Sequence, residues 1–193
     1  TPYRETDPCA PHDVYGRSKR DAELILRGIA ERGPLKVTVL RPPLVYGPGV
    51  KANFLALLRA VDRGLWLPLA GVQNRRSLVF VGNLVDAIGR CLRSEGGAFE
   101  TFFVADDEAP STPELIRRVA HHLGRPVRLF PFPIPVMRAF ATALGKRGIV
   151  DSLTLSMVVD TSAIRSALAW RPPFTLDQGL AETVRWYREA YRR

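Results

Sequence analysis

The sequence predicts an α/β fold in which buried parallel strands alternate with helices. Residues 14–32 place apolar side chains at three- and four-residue intervals, which is the pattern of an amphipathic helix. A short apolar run with β-branched residues follows at 35–41, as expected for a parallel strand covered on both faces. A second apolar run at 76–81 again precedes a helical pattern, at 84–92. We therefore expect strands and helices to alternate along the chain.

The composition narrows the class of partner. The 193 residues are 46% hydrophobic and 24% charged, which is ordinary for a globular protein with a sizeable core. The net charge of +9 is compatible with nucleic acid, an anionic membrane or a small anionic ligand. The basic residues are scattered, and no apolar run reaches the length of a membrane span, so we expect no nucleic acid, no membrane span and a small anion. Cys9 and Cys91 have no metal-like spacing and indicate reduced thiols in a cytoplasmic protein.

Tyr15 and Lys19 stand at the start of the first predicted helix. Four residues apart, they lie on one helix face about one turn from each other. An ammonium beside a phenol favours the phenolate, and such a tyrosine can act as general base or acid on a hydroxyl. The alternative is a chance pair on a helix surface.

The first predicted strand ends in Arg41, Pro42 and Pro43. Ligands of open α/β sheets bind outside the carboxyl ends of the strands. The two prolines remove backbone donors and fix the path of the chain there, so they also fit a plain exit turn. Arg41 fits a structural partner, and Asn53 stands where the following helix is expected to start, a common place for asparagine.

Several capping signals mark later elements. Asn83 is predicted to cap a helix over 84–92, and residues 99–105 are predicted to form a strand. Ser111, with Pro113 and Glu114 behind it, predicts a helix to about residue 123, closed by a glycine. The adjacent His121 and His122 point to different sides of that helix, which argues against a metal site.

The last third predicts a short strand at 127–130, an apolar helix through residue 144 and an apolar run over 152–159. Thr175 and Gln178 form a capping box for a final helix over 176–191.

In combination, these motifs are similar to those of a known family. Tyr-x-x-x-Lys at a helix start, the next strand and the segment Leu-Arg-Pro-Pro-Leu-Val-Tyr-Gly-Pro-Gly resemble the extended short-chain dehydrogenase/reductases. Within that family they resemble the NAD-dependent nucleotide-sugar epimerase/dehydratase branch. The resemblance runs from Asp7 to about Tyr191, and a signature near its end carries Trp170, with Arg165 for the usual lysine and Ala169 for the usual glycine.

The resemblance implies an architecture. It is the C-terminal part of a Rossmann-like parallel-sheet domain plus a small α/β substrate domain. Residues 1–105 would be the C-terminal portion of the Rossmann-like domain, interleaved with substrate-domain segments. Residues 106–193 would be mainly the substrate-binding domain and closing helices, with Trp170 and Trp186 in packing roles. The family's glycine-rich dinucleotide turn and its catalytic Ser or Thr lie upstream of the motifs seen here, so we expect the sequence to be a C-terminal fragment that is inactive alone.

The resemblance also implies a cofactor site. Tyr15 and Lys19 would be the catalytic pair and would contact the cofactor, NAD or in some relatives NADP. Pro42 and Pro43 would lie against the nicotinamide ring. No residue is implied as a metal ligand.

A substrate site follows from the same resemblance. Asn53 and Arg76 would bind the diphosphate of a nucleotide-diphosphate sugar. A guanidinium suits that task because it stays charged and presents a fork of donors matched to phosphate oxygens. Leu44 replaces an asparagine that contacts substrate in many relatives. An exposed arginine without a ligand is the alternative for Arg76.

The implied reaction is epimerisation of a nucleotide-diphosphate sugar, as in a UDP-hexose 4-epimerase. Tyr15 would take a proton from a sugar hydroxyl while a hydride passes to NAD and later returns. Two alternatives stay open, an NADPH-dependent reductase of 4-keto-sugar nucleotides and a non-catalytic nucleotide-sugar-binding protein on the same scaffold. In many relatives the helix that carries the tyrosine contributes to a homodimer.

Overall fold

The computed structural model describes residues 1–11 and 13–191, and it contains paired parallel strands and eight helices within those residues. The strands are β1 Val37–Arg41, β2 Leu44–Tyr46, β3 Leu78–Phe80 and β4 Phe99–Phe103. The helices are α1 Val14–Ala30, α2 Ala52–Asp62, α3 Val81–Leu92, α4 Thr112–Leu123, α5 Ile134–Ala143, α6 Arg147–Thr154, α7 Ser162–Leu168 and α8 Leu176–Tyr191. Strands alternate with helices through the first half, which confirms the predicted α/β class.

Two parallel strand pairs form the sheet framework. β1 pairs with β4, with Val37 opposite Phe99, and β2 pairs with β3, with Leu44 opposite Leu78. Isolated parallel bridges extend this framework, among them one between Arg76 and Met157. The predicted site residues flank these strands. Pro42 and Pro43 lie between β1 and β2, Asn53 lies in the first turn of α2 after β2, and Arg76 lies just before β3.

The core divides into two apolar clusters. The larger one packs β2 and β3 against α2, α4 and α8, and it includes Tyr46, Leu58, Ile116 and Leu180, each at most 1% exposed. The smaller one packs β4 against α3 and α7 around Trp170. Trp170 is buried and Trp186 packs on the larger cluster, as their predicted packing roles require.

Several predicted caps are confirmed. The Ser111 hydroxyl accepts a hydrogen bond from the Glu114 amide, and Gly124 ends α4 in a left-handed conformation with φ of 61°. Thr175 and Gln178 form the reciprocal bonds of a capping box at the start of α8. At the end of α7, Ala169 is left-handed, with φ of 48°.

Three local predictions were wrong or incomplete. Asn83 does not cap α3, which begins at Val81 with Phe80 at the N-cap, because the Asn83 side chain turns inward to buried partners instead. Residues 127–130 form no strand, only a single bridge between Leu129 and Leu67. Helix α6 lies partly within the apolar run over 152–159, where the sequence predicted no helix.

Candidate functional site

The N-terminus of α1 fixes the backbone beneath Tyr15. Asp13 is the N-cap residue, and its carboxylate accepts a hydrogen bond of 2.6 Å from the Gly16 amide. A Cβ at position 16 would lie 2.8 Å from the Pro11 Cβ, so glycine lets the preceding loop approach the helix closely. The second helical residue, Tyr15, is thereby held at a capped helix start.

The structure places Tyr15 and Lys19 together, as their spacing predicts. The Lys19 Nζ lies 5.5 Å from the centre of the Tyr15 ring. Tyr15 is 71% exposed and Lys19 is also exposed, so both groups are open to a ligand. Within residues 1–11 and 13–191, Lys19 forms no ion pair. A phenol and an unpaired ammonium on one face can together contact hydroxyl groups of a bound molecule.

A charged pair ties this helix to the end of β1. The Arg41 Nε donates to the Glu23 carboxylate at 3.1 Å, and Nη2 donates to the other carboxylate oxygen. This hydrogen bonding raises the pKa of Arg41. The structural role expected for Arg41 is therefore observed.

Pro42 and Pro43 follow β1 directly. Pro42 lines a surface cavity of about 620 Å³ between β1 and α3, together with residues such as Thr38, Leu40 and Leu84. This cavity is distinct from the one that contains Asn53 and Arg76.

Asn53 and Arg76 are brought together by the fold. They line one small cavity of about 90 Å³ with Leu44, Leu57 and Leu78. Asn53 is exposed, and the N-cap residue of α2 is Lys51, so capping does not account for the asparagine. Its neighbour Ala52 has a left-handed φ of 49°.

Arg76 is a partly buried cation without an acidic partner in the described part of the chain. Its Nη1 donates to the Leu155 carbonyl at 3.2 Å, and its backbone amide donates to the Pro110 carbonyl. Burial lowers the pKa of Arg76, because desolvation disfavours the charged form. A desolvated guanidinium in a cavity is suited to an anion.

A buried amide that the sequence reasoning missed lies beside Arg76. Asn74 is 3% exposed and hydrogen-bonds to Thr112 at the start of α4 and to two carbonyl groups at the end of α6. Its partners are 38 to 81 residues away in sequence, so no local pattern marks it.

A second missed network joins Asp106, Tyr46 and Asn83. The Asp106 carboxylate accepts bonds from the Tyr46 hydroxyl at 2.8 Å, the Asn83 amide at 2.7 Å and the Phe80 backbone. Asn83 also exchanges two bonds with the backbone of Phe174. Burial raises the pKa of Asp106 and, together with that carboxylate, the pKa of Tyr46. The network joins the ends of β2 and β3 to the loop before α8.

His121 and His122 stack edge to face, with ring centres 5.5 Å apart. Among residues 1–11 and 13–191, no group of three His, Cys, Asp or Glu side chains is arranged to hold a metal ion. None of the helices in the same residues has both the length and the apolar character needed to cross a bilayer.

Several known proteins are similar to this chain in sequence and in fold. A UDP-glucose 4-epimerase of Vibrio cholerae is 41% identical over 193 residues, which cover 100% of this chain and 59% of the relative. The chain thus spans about three fifths of that relative's length. The crystal structure of the Thermotoga maritima UDP-glucose 4-epimerase with UDP-glucose has a TM-score of 0.73 at 23% identity, covering 97% of this chain and 57% of that one. The structure of MoeE5 in complex with UDP-glucuronic acid and NAD has a TM-score of 0.76 at 25% identity, covering 98% and 60%.

The family assignment rests on the N-terminal half of the chain. Residues 1–105, which contain the Tyr15–Lys19 pair, Asn53 and Arg76, match the model of the NAD dependent epimerase/dehydratase family. The match covers more than half of the 193 residues and confirms the resemblance drawn from the motifs. The chain therefore belongs to the NAD dependent epimerase/dehydratase family.

Proposed function

We propose that the intact protein is an NAD-dependent epimerase of a nucleoside-diphosphate sugar, acting as a UDP-hexose 4-epimerase. The observation that carries the proposal is the open Tyr15–Lys19 pair on α1. The 41% identity to a UDP-glucose 4-epimerase over the whole of this chain supports the choice of substrate.

The residues around α1 fit a dinucleotide. The Lys19 ammonium is free of ion pairs in the described part of the chain and can donate to ribose hydroxyls, next to the Tyr15 phenol. Pro42 and Pro43 offer a rigid, donor-free surface suited to the flat nicotinamide ring. NAD, when bound, supplies the group that accepts a hydride from the sugar and returns it.

Tyr15 moves the proton in this proposal. Its Oη takes the proton of the sugar C4 hydroxyl when the carbon is oxidised and gives it back when the carbon is reduced. The exposed position of the ring leaves the oxygen accessible to a sugar bound over α1.

Asn53 and Arg76 hold the other end of the substrate. The Arg76 guanidinium binds the diphosphate, and the Asn53 amide, which lines the same cavity, donates a further hydrogen bond. Binding at a distance from the reacting carbon orients the sugar toward Tyr15.

The test is turnover by the intact protein with UDP-glucose and UDP-galactose. We expect interconversion of the two sugars with NAD in catalytic amounts and no net change in the cofactor. Stoichiometric consumption of NADPH with a 4-keto sugar would identify a reductase instead. Tight binding of nucleotide sugar without turnover of any of these compounds would identify a binding protein and overturn the proposal.

We also propose a homodimer that is located in the cytoplasm. Val14, Leu24, Ile25 and Ile29 of α1 are between 49% and 82% exposed and offer an apolar surface to a second copy. Cys9 and Cys91 are both free thiols, which fits a reducing compartment. Sedimentation of the intact protein and cell fractionation test the two statements.

A further inference from the structure

Asn74 lies two residues before Arg76, and both ends of its side-chain amide have hydrogen-bond partners. Its Oδ1 accepts from the Thr112 amide at 2.9 Å. Its Nδ2, which carries two hydrogens, has three acceptors within reach: the carbonyls of Leu153 and Leu155, both at 3.2 Å, and the Thr112 hydroxyl at 3.1 Å. One buried amide therefore joins the loop before β3, the start of α4 and the end of α6.

Arg76 shares one of these partners. The Leu155 carbonyl that accepts from Asn74 also accepts from the Arg76 guanidinium, at 3.2 Å. On the other side of the arginine, the Ser77 amide donates to the Met157 carbonyl at 2.8 Å. The backbone that carries the guanidinium is thus fixed to the same segment, residues 153–157, on both sides of Arg76.

We propose that Asn74 is a positioning residue that holds Arg76 for the substrate diphosphate without touching the substrate. The inference rests on the proposed function, because it takes Arg76 as the diphosphate ligand. A long arginine side chain binds an anion more tightly when its rotamer is fixed beforehand, since less conformational entropy is lost on binding. Asn74 supplies that constraint by holding in place the Leu155 carbonyl on which the guanidinium rests.

The chemistry of position 74 requires an amide. The site presents one backbone donor, from Thr112, and two carbonyl acceptors, from Leu153 and Leu155. An aspartate would set a carboxylate against both carbonyls, and an alanine would leave all of these buried groups with a lost partner.

The experiment is a double-mutant cycle on UDP binding to the intact protein, measured by calorimetry. We expect Arg76→Ala to weaken UDP binding about 10- to 100-fold, as for loss of a charge-assisted contact, and Asn74→Ala to weaken it about tenfold. In the Arg76→Ala background, Asn74→Ala should change the dissociation constant less than twofold, because the group on which it acts is gone.

The matched control is Asn83→Ala. Asn83 is also a fully buried amide with satisfied hydrogen bonds, but its partners are Asp106 and Phe174. The Asn83→Ala variant should lower the free energy of unfolding as Asn74→Ala does and leave UDP affinity unchanged.

In steady-state assays, Asn74→Ala should raise KM for the nucleotide sugar with little change in kcat.

The outcomes separate the two proposals. If Arg76→Ala binds UDP as the native protein does, the diphosphate role of Arg76 fails and this inference fails with it. If Arg76→Ala weakens binding but Asn74→Ala does not, or weakens it equally in both backgrounds, only the positioning role is overturned.

Should Asn74→Ala not fold, Thr112→Val takes its place, since it removes the hydroxyl that bonds to Asn74 and Leu153. We then expect a loss of about threefold that vanishes in the Arg76→Ala background.

Discussion

The two parts of the candidate site are built in opposite ways. Tyr15 and Lys19 stand on a helix whose single buried residue is Ala30, and they are exposed. Arg76 is partly buried, and its guanidinium shares the Leu155 carbonyl with the buried amide of Asn74. The fold itself desolvates the arginine, whereas it leaves the tyrosine and the lysine in contact with solvent. Under the proposed function, the anion site would be prepared in advance, and the environment for proton transfer would be completed only when the ligands bind.

Tyr15→Phe should produce the largest effect and test the exposed part of this contrast. Loss of the proton-transferring oxygen should lower kcat of the intact protein about 10²- to 10⁴-fold. The free energy of unfolding should stay within about 0.5 kcal/mol, because the ring is 71% exposed. Steady-state kinetics and urea unfolding measure the two quantities, with Tyr3→Phe, another exposed tyrosine, as control. An unchanged kcat would remove Tyr15 from the reaction.

Arg76→Ala should come next and act on binding. We expect KM for the nucleotide sugar to rise about 10- to 100-fold, with a smaller change in kcat, because the contact is lost at a distance from the reacting carbon. Arg76→Lys should fall between, since it keeps the charge and loses the fork of donors. Arg75→Ala is the matched control, an exposed neighbour whose side chain should not matter. Equal effects at positions 75 and 76 would contradict a specific phosphate ligand.

Glu23→Gln tests how firmly α1 is held. The variant weakens the half-buried pair with Arg41 and should lower the free energy of unfolding by about 1–2 kcal/mol. Asp21→Asn, which removes the exposed pair with Arg20 on the same helix, should cost less than about 0.5 kcal/mol. Urea unfolding compares the two, and equal losses would show that the Arg41 pair does not anchor the helix.

The smallest effect should appear in the pH dependence of stability at Asp106. Burial raises the pKa of Asp106 in the folded protein, so the ionised form disfavours folding. Its favourable contribution is complete below the unfolded pKa of about 3.9 and is lost as pH rises through the higher folded pKa. Asp106→Asn keeps the shape and removes the titration. The free energy of unfolding of the native protein should therefore fall relative to that of the variant as pH rises from about 3.5 to 7. Urea unfolding at a series of pH values measures both, and a difference between the two proteins that does not change with pH would contradict the prediction.

Local patterns predicted the parts of the site that depend on local geometry. The spacing of Tyr15 and Lys19 sets their common helix face, and Ser111 and Thr175 act as caps because their partners lie three residues on. The same logic assigned Asn83 to a helix cap, but its side chain instead hydrogen-bonds to Asp106 and Phe174, which lie 23 and 91 residues away in sequence. Asn74 was missed for that reason, since a buried amide is defined by what the tertiary fold brings to it. The division into domains at residue 105 stays a prediction.

The left-handed end of α7 has a consequence for thermal tolerance. Ala169 takes the place of the glycine that the motif resemblance implies, and its φ of 48° is one that a Cβ makes costly and glycine adopts freely. Ala169→Gly should therefore raise the melting temperature by about 1–3 °C, the relief of strain being partly offset by the greater freedom of glycine in the unfolded chain. Calorimetric melting of the intact protein would show this, and a lower melting temperature would mean that the alanine methyl packs better than its backbone angle suggests. A higher melting temperature would show that heat resistance can be improved at a position outside the candidate site.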